Sequence, residues 1–242
     1  MESSDTGSPA DIVSAIIVAG GKGERFSRSE RKQYIRLGAR SILGHTLNTY
    51  ASIEEIDEIV VVAPADDVRY IGELIPAELG QLTLCKPLSV VAGGVRRQDS
   101  VLAGLQALDA RSRIVLIHDA VRPFVDPSHI KQVIESVIEH GGAVLAVPVK
   151  DTLKRCDDGF IVQTAERAGI FAAQTPQAFD TDKIRRAHEI AAENGLTVTD
   201  DAALFEELGY DVAIVEGSYL NIKITTQEDL VLARAILAAE EA

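Results

Sequence analysis

Six short apolar runs set the rhythm of this chain: Val13–Ala19, Ile59–Ala63, Leu88–Ala92, Ile114–Ile117, Ala143–Val147 and Val212–Val215. They are continuous rather than alternating, the pattern of strands buried on both faces of a mostly parallel sheet. Between them the period becomes helical. Asp126-Pro127 supplies an N-cap and a proline at the first helical position. Ile130, Val133, Ile134, Val137 and Ile138 then mark one buried stripe, which Gly141-Gly142 ends. Arg97–Leu108 and Thr181–Glu193 read the same way. A last helix opens with a capping-box pattern at Thr225-Thr226-Gln227-Glu228 and runs through Leu230, Ala233 and Ile236. This alternation predicts a Rossmann-like, doubly wound α/β sheet with right-handed crossovers and ligands over the carboxyl ends of its strands. One region breaks the rhythm: within 149–168, two short runs flank Asp157-Asp158-Gly159 and predict a projecting β-hairpin arm.

Composition narrows the class. The 242 residues, 46% of them apolar, fit one α/β domain over 12–242, with the polar, acidic stretch 1–11 read as a disordered leader. No apolar run reaches the roughly 18 to 20 residues that span a bilayer, and the N-terminus lacks a basic start and apolar middle. Cys85 and Cys156 have no metal-ligand spacing, which suits a reduced, cytoplasmic protein. A net charge of −13 argues against nucleic acid or an anionic membrane as a partner. An acidic protein that binds anions must gather its cations locally, so the position of each basic cluster carries information.

The first cluster follows the first strand: Ala19-Gly20-Gly21-Lys22-Gly23-Glu24-Arg25. Glycines let a backbone approach phosphate and turn its N–H groups inward. No Gly-Lys-Ser/Thr follows, and Phe26 stands where a dinucleotide fingerprint needs its third glycine. Lys22, Arg25, Arg28, Arg31, Lys32 and Arg36 face only Glu24 and Glu30, which makes a cationic funnel beside the glycines. The alternative is a solvated basic face, but the apolar periodicity of a surface helix is missing here. The second string is His118-Asp119-Ala120-Val121-Arg122-Pro123, after a buried strand. Asp119 suits Mg²⁺, which takes one or two carboxylates and completes its shell with water and phosphate oxygens; capping the next turn is the alternative. His118 is read as a structural hydrogen-bonder. In Gly93-Gly94-Val95-Arg96-Arg97-Gln98-Asp99-Ser100, Ser100 either touches a nucleobase or sits in the first helical turn. Lys223, just before the last helix, is electrostatically misplaced there unless it meets an anion.

Together with Lys32-Gln33-Tyr34, Asp151-Thr152-Leu153-Lys154-Arg155, Gln174-Thr175-Pro176-Gln177, Thr199-Asp200 and Asn221-Ile222-Lys223, these strings resemble the 2-C-methyl-D-erythritol 4-phosphate cytidylyltransferases from about Ile12 onward. The resemblance implies a sheet of the nucleotide-diphospho-sugar transferase type and joining of the alcohol phosphate to CMP from CTP, with Mg²⁺. It implies Arg25 and Lys32 as transition-state stabilisers, with Arg167 and Lys223 positioning the alcohol phosphate beside Arg122, Thr152 and Thr175. Asp119 becomes the metal-linked aspartate. Ala19, Gly20, Gly21, Gly23, Gly94 and Ser100 form the nucleotide surface. It further implies a homodimer whose arms swap, so that Thr152 and Arg167 serve the partner's site. Two positions depart from the pattern: Arg31 replaces a usual proline and Gly20 a frequent alanine. A ribitol 5-phosphate cytidylyltransferase is the nearest rival. A glycosyltransferase is disfavoured because Asp180-Thr181-Asp182 reads as a helix cap. A non-catalytic nucleotide-binding subunit would leave Lys32, Arg167 and Lys223 without a shared purpose.

Overall fold

The computed structural model describes residues 11–20, 31–80 and 86–240. In chain order the strands are β1 Ile12–Val18, β2 Arg36–Leu37, β3 Arg40–Ser41, β4 Glu58–Ala63, β5 Leu88–Ala92, β6 Ser112–Asp119, β7 Gly142–Pro148, β8 Lys154–Asp157, β9 Phe160–Thr164, β10 Phe171–Asp180 and β11 Ala213–Glu216. The helices are α1 Ile42–Ser52, α2 Val68–Leu79, α3 Arg97–Ala107, α4 Pro127–His140, α5 Thr181–Asn194, α6 Asp201–Glu207 and α7 Gln227–Glu240. Seven strands form the main sheet in the order β11-β7-β10-β6-β1-β4-β5. All six expected strands are present and pair parallel where they are neighbours, as β1 does with β4 and β6.

β10 is the strand that periodicity misses. It lies antiparallel between β6 and β7 and carries Gln174-Thr175-Pro176-Gln177 in its middle, with the Thr175–Pro176 peptide cis. A polar run with a proline reads as loop. Its three polar side chains are nevertheless buried because each is bonded inside the protein: Gln174 donates to the Ser218 carbonyl at 2.9 Å, the Thr175 hydroxyl accepts the Asp119 N–H, and Gln177 Oε1 accepts the Asp201 and Ala202 N–H groups.

Helices cover both faces. Leu43, Leu47, Ile71, Ile75, Ile130 and Val133 of α1, α2 and α4 pack on one side, and Val101, Leu105, Ile184 and Phe205 of α3, α5 and α6 on the other. α4 keeps its expected cap, with the Asp126 carboxylate accepting the Ser128 N–H at 2.7 Å, and it ends at left-handed Gly141. Its stripe is narrower than expected, because Ile138 is 72% exposed. At 100° per residue Ile138 falls roughly 80° from Ile130, at the margin of the buried face. At α7 the cap acid is Asp229 rather than Glu228: its carboxylate accepts the Thr225 and Thr226 N–H groups, and Thr226 accepts the Asp229 N–H. α7 then seals a smaller core with Leu37, Val121, Phe124 and Ile224.

The arm stands apart. β8 and β9 make their own two-stranded sheet about Asp158-Gly159, both at positive φ, and every residue of the two strands is exposed.

Candidate active site

The carboxyl ends of β1, β4, β5 and β6 form one ledge. Val18 lies beside Asp119 in register, and the Ala120 N–H closes on the Val18 carbonyl at 3.0 Å. The Ala19 N–H bonds the Val62 carbonyl and the Gly93 N–H the Ala63 carbonyl, at 2.8 and 2.7 Å. Buried Gln33 reaches back to donate to the Ala19 carbonyl at 2.8 Å. The chain therefore returns to the end of β1 just after Lys32, in a short 3₁₀ turn over Lys32–Tyr34. Arg31 is committed on the other side. Its Nε meets Asp67 at 3.0 Å, and the Tyr34 hydroxyl donates to the same carboxylate at 2.7 Å. With φ at −75°, Arg31 holds a backbone angle that proline also adopts, and the Asp67 contact supplies restraint of its own.

Asp119 is the electrostatic centre. Its Oδ2 accepts from Lys223 Nζ at 2.7 Å, its Oδ1 from Arg97 Nε at 3.3 Å, and Arg122 Nε lies 3.8 Å away. Burial alone would raise its pKa, but Arg97, Lys223 and Arg122 together hold the carboxyl well below the ordinary carboxylate range. Lys223 thus finds its anion in Asp119, and it precedes Gln227, the first residue of α7, by four positions rather than abutting the helix.

Beneath Asp119 runs a chain of hydrogen bonds. The Asp119 N–H donates to the Thr175 hydroxyl at 3.1 Å, and that hydroxyl lies 3.1 Å from His118 Nδ1. His118 Nε2 sits 3.0 Å from the Arg122 carbonyl, which can only accept. The chain is satisfied with the proton on Nε2 and the threonine hydroxyl donating to Nδ1. Burial pushes the His118 pKa down to about 4, so the ring is neutral at physiological pH and structural, as expected.

Two adjoining cavities share Arg97, Asp119 and Lys223. The one of about 120 Å³ is walled by Gly20, Gly94 and Ser100, and the one of about 290 Å³ by Arg122 and Thr175. A Cβ on Gly94 would come within 2.3 Å of Asp99 Cβ, so only glycine lets the β5–α3 turn close this tightly. Ser100 does sit in the first turn of α3. Its hydroxyl donates to the Arg96 carbonyl and accepts the Gly94 N–H, which fixes the glycine wall. Ala19 is 3% exposed with its N–H and carbonyl both bonded internally, so it anchors the ledge.

Other expected site residues lie elsewhere. Arg167 bonds the Lys150 carbonyl and lines a separate cleft of about 520 Å³ with Phe171 and Tyr219, and Thr152 is exposed at the base of the arm. Gly21, Gly23 and Arg25, with Lys22 and Arg28, fall outside the described residues, as do most of the leader and Cys85. Two participants were not anticipated. Arg97 touches both Asp119 and Asp201, and Asp201 is fully buried behind it. The available signal was an arginine in the first turn of a helix, against the dipole.

Among the described residues no group of three or more His, Cys, Asp or Glu could cage a metal ion. Asp119 offers a single carboxylate whose oxygens are already held by Lys223 and Arg97, so a cation there would share them and draw most of its shell from phosphate and water. No described helix is long and apolar enough to cross a membrane.

Comparison with known proteins gives the chain's family and fold. Residues 13–239 match the family model for 2-C-methyl-D-erythritol 4-phosphate cytidylyltransferase. The enzyme of that name from Halalkalibacterium halodurans is 44% identical over 94% of this chain and 98% of its own length. The one from Geobacillus kaustophilus is 43% identical over 94% and 98%. Among solved structures, 4-diphosphocytidyl-2C-methyl-D-erythritol synthase from Anaerococcus prevotii superposes with a TM-score of 0.82 at 37% identity, covering 94% of this chain and 96% of that one. The cytidylyltransferase from Thermus thermophilus gives 0.77 at 33% identity, over 94% and 99%.

Proposed function

Since the chain belongs to the 2-C-methyl-D-erythritol 4-phosphate cytidylyltransferase family, we propose that it converts this alcohol phosphate and CTP to 4-diphosphocytidyl-2-C-methyl-D-erythritol and pyrophosphate, in non-mevalonate isoprenoid precursor synthesis. The observation that carries the reading is the pair of cavities meeting at Asp119, Lys223 and Arg97. The glycine-walled cavity, with Gly20, Gly94 and Ser100 in its wall, takes the nucleotide; Ala19, Gly21 and Gly23 belong to the nucleotide surface in this reading. The cavity beside Arg122 and Thr175 takes the alcohol phosphate.

An oxygen of the alcohol's phosphate attacks the α-phosphorus of CTP in line, one P–O bond forms, and the bond to pyrophosphate breaks. The substrate is itself the nucleophile, so the protein's task is orientation and charge stabilisation. Arg25 and Lys32 stabilise the negative charge at the reacting phosphorus. Lys223 and Arg122 hold the attacking phosphate. Asp119 is the residue that would hold Mg²⁺, whose chemistry there is to neutralise the triphosphate.

Arg167 and Thr152 act on a second copy's site in this reading. Supporting it, Phe160, Ile161 and Val162 of the arm are 76, 64 and 58% exposed, an apolar strand that gains from a covering partner. Exposed, unpaired Cys156 suits a reducing cytoplasm.

Substrate choice is tested by supplying CTP with either 2-C-methyl-D-erythritol 4-phosphate or ribitol 5-phosphate and separating the nucleotide products. The methylerythritol compound should react with at least about tenfold higher kcat/KM, the scale on which a shaped pocket discriminates. Equal values, or a preference for ribitol 5-phosphate, would overturn the assignment.

A further inference from the structure

Arg97 is held between two carboxylates that come from distant parts of the chain. Its Nε donates to Asp119 at 3.3 Å and its Nη1 to Asp201 at 2.6 Å. Asp201 opens α6 and is 1% exposed. Its other oxygen lies 3.2 Å from Nε2 of buried His188, and its N–H is fixed by Gln177 of β10 at 3.0 Å. Asp201 lines neither cavity beside Asp119, yet one side chain connects it to that carboxylate.

This arrangement is costly as a stabilising device. Burying an ion pair often gains nothing over apolar residues of similar size. An arginine in the first turn of α3 also opposes the helix dipole. Both costs are accounted for if the orientation of Arg97 matters to the chemistry. With Nη1 given to Asp201, Arg97 presents only Nε to Asp119, whose Oδ2 stays with Lys223. Released from Asp201, a guanidinium would turn a full two-nitrogen edge on Asp119, the stronger geometry, and compete with Lys223 for it.

We infer that Asp201 is a positioning residue for the reaction, acting through Arg97 to keep Asp119 aimed at the junction of the two cavities. The inference rests on the assignment of this site to cytidylyl transfer. The simpler role for Asp201 is to buttress α6 against α5 through His188, and the two roles differ in what they do to turnover.

The test compares wild type with Asp201→Asn, Arg97→Lys and the double variant, measuring kcat and KM for CTP per folded molecule alongside thermal melting. Asp201→Asn should lower kcat by about 10- to 100-fold, the scale of a small misplacement, with a smaller change in KM. The double variant should be no worse than the poorer single, because both changes break one relay. A buttress alone predicts a lower melting temperature with kcat per folded molecule within twofold of wild type, which would overturn the inference. So would a double variant whose loss is the product of the two single losses. If Asp201→Asn does not fold, Arg97→Lys decides. Lysine keeps the charge but cannot bridge both carboxylates, so retention of full kcat overturns the inference and a tenfold loss upholds it. A wild type without CTP-dependent pyrophosphate release would remove the functional assignment and this inference with it. An active wild type beside an unaffected Asp201→Asn removes the inference alone.

Discussion

Asp119→Asn should lower kcat by about 10³ and the melting temperature by about 10 °C. The kinetic figure sits at the upper end of what one removed charge-stabilising group costs, because this carboxylate holds Lys223 and Arg97 as well as the proposed metal. The thermal figure follows from burial. The Asp119 side chain is 8% exposed, and removing its charge leaves Lys223, Arg97 and Arg122 facing one another across the gap. Breaking a buried ion pair costs about 3 to 5 kcal/mol, and in a chain of this size each kcal/mol moves melting by about 2 to 4 °C. The difference should depend on pH. The Asp119 carboxyl is held below the ordinary range, so the folded protein binds this proton more weakly than the unfolded chain does. Its stabilisation is complete above about pH 4, the unfolded carboxylate value, and fades as pH falls through and below it. Melting curves of the two proteins should therefore be far apart at pH 7 and converge in acid. A pH-independent difference would mean that the lost stability does not come from this charge.

Lys32→Ala should lose roughly 10² or more in kcat with a smaller change in KM, as expected of a contact made mainly in the transition state. Gln33 and Arg31 grip the chain on either side of Lys32, so the loop ends should keep their course when its side chain is shortened. Near-normal turnover would remove Lys32 from the chemistry. The same variant reports on the arm. Arg167→Ala should be similarly impaired, and if the arm serves the partner's site, mixing the two inactive proteins regenerates one intact site per heterodimer. Random pairing in a two-fold dimer then restores roughly a quarter of wild-type activity. Proven heterodimers with no recovery would place Arg167 in its own subunit's site.

The main sheet was legible because parallel strands covered by helices on both faces have no polar side, and each left a run of apolar residues. β10 escaped for the converse reason. Gln174, Thr175 and Gln177 are buried through hydrogen bonds to the Ser218 loop, the end of β6 and the start of α6, all far along the chain, which a local pattern cannot register. At the site, Asp119 and Lys223 could each be picked out singly, but their pairing joins residues brought together only by the fold. Arg97 and Asp201 lie further from view still: their contact spans 104 positions. The one local trace of Arg97, which went unread, is a conflict, a cation at the wrong end of a helix, and the structure resolves it with two carboxylates. The arm was readable from Asp158-Gly159, whereas no local pattern says what meets its exposed apolar side chains.

The most direct test is pyrophosphate release measured with each of the four nucleoside triphosphates, with Mg²⁺, in the presence and absence of 2-C-methyl-D-erythritol 4-phosphate. Release should require the alcohol phosphate, match its consumption one for one, and run at least about tenfold faster with CTP than with any other triphosphate. Release that ignores the alcohol phosphate, equal rates across the four nucleotides, or no release at all would contradict this account.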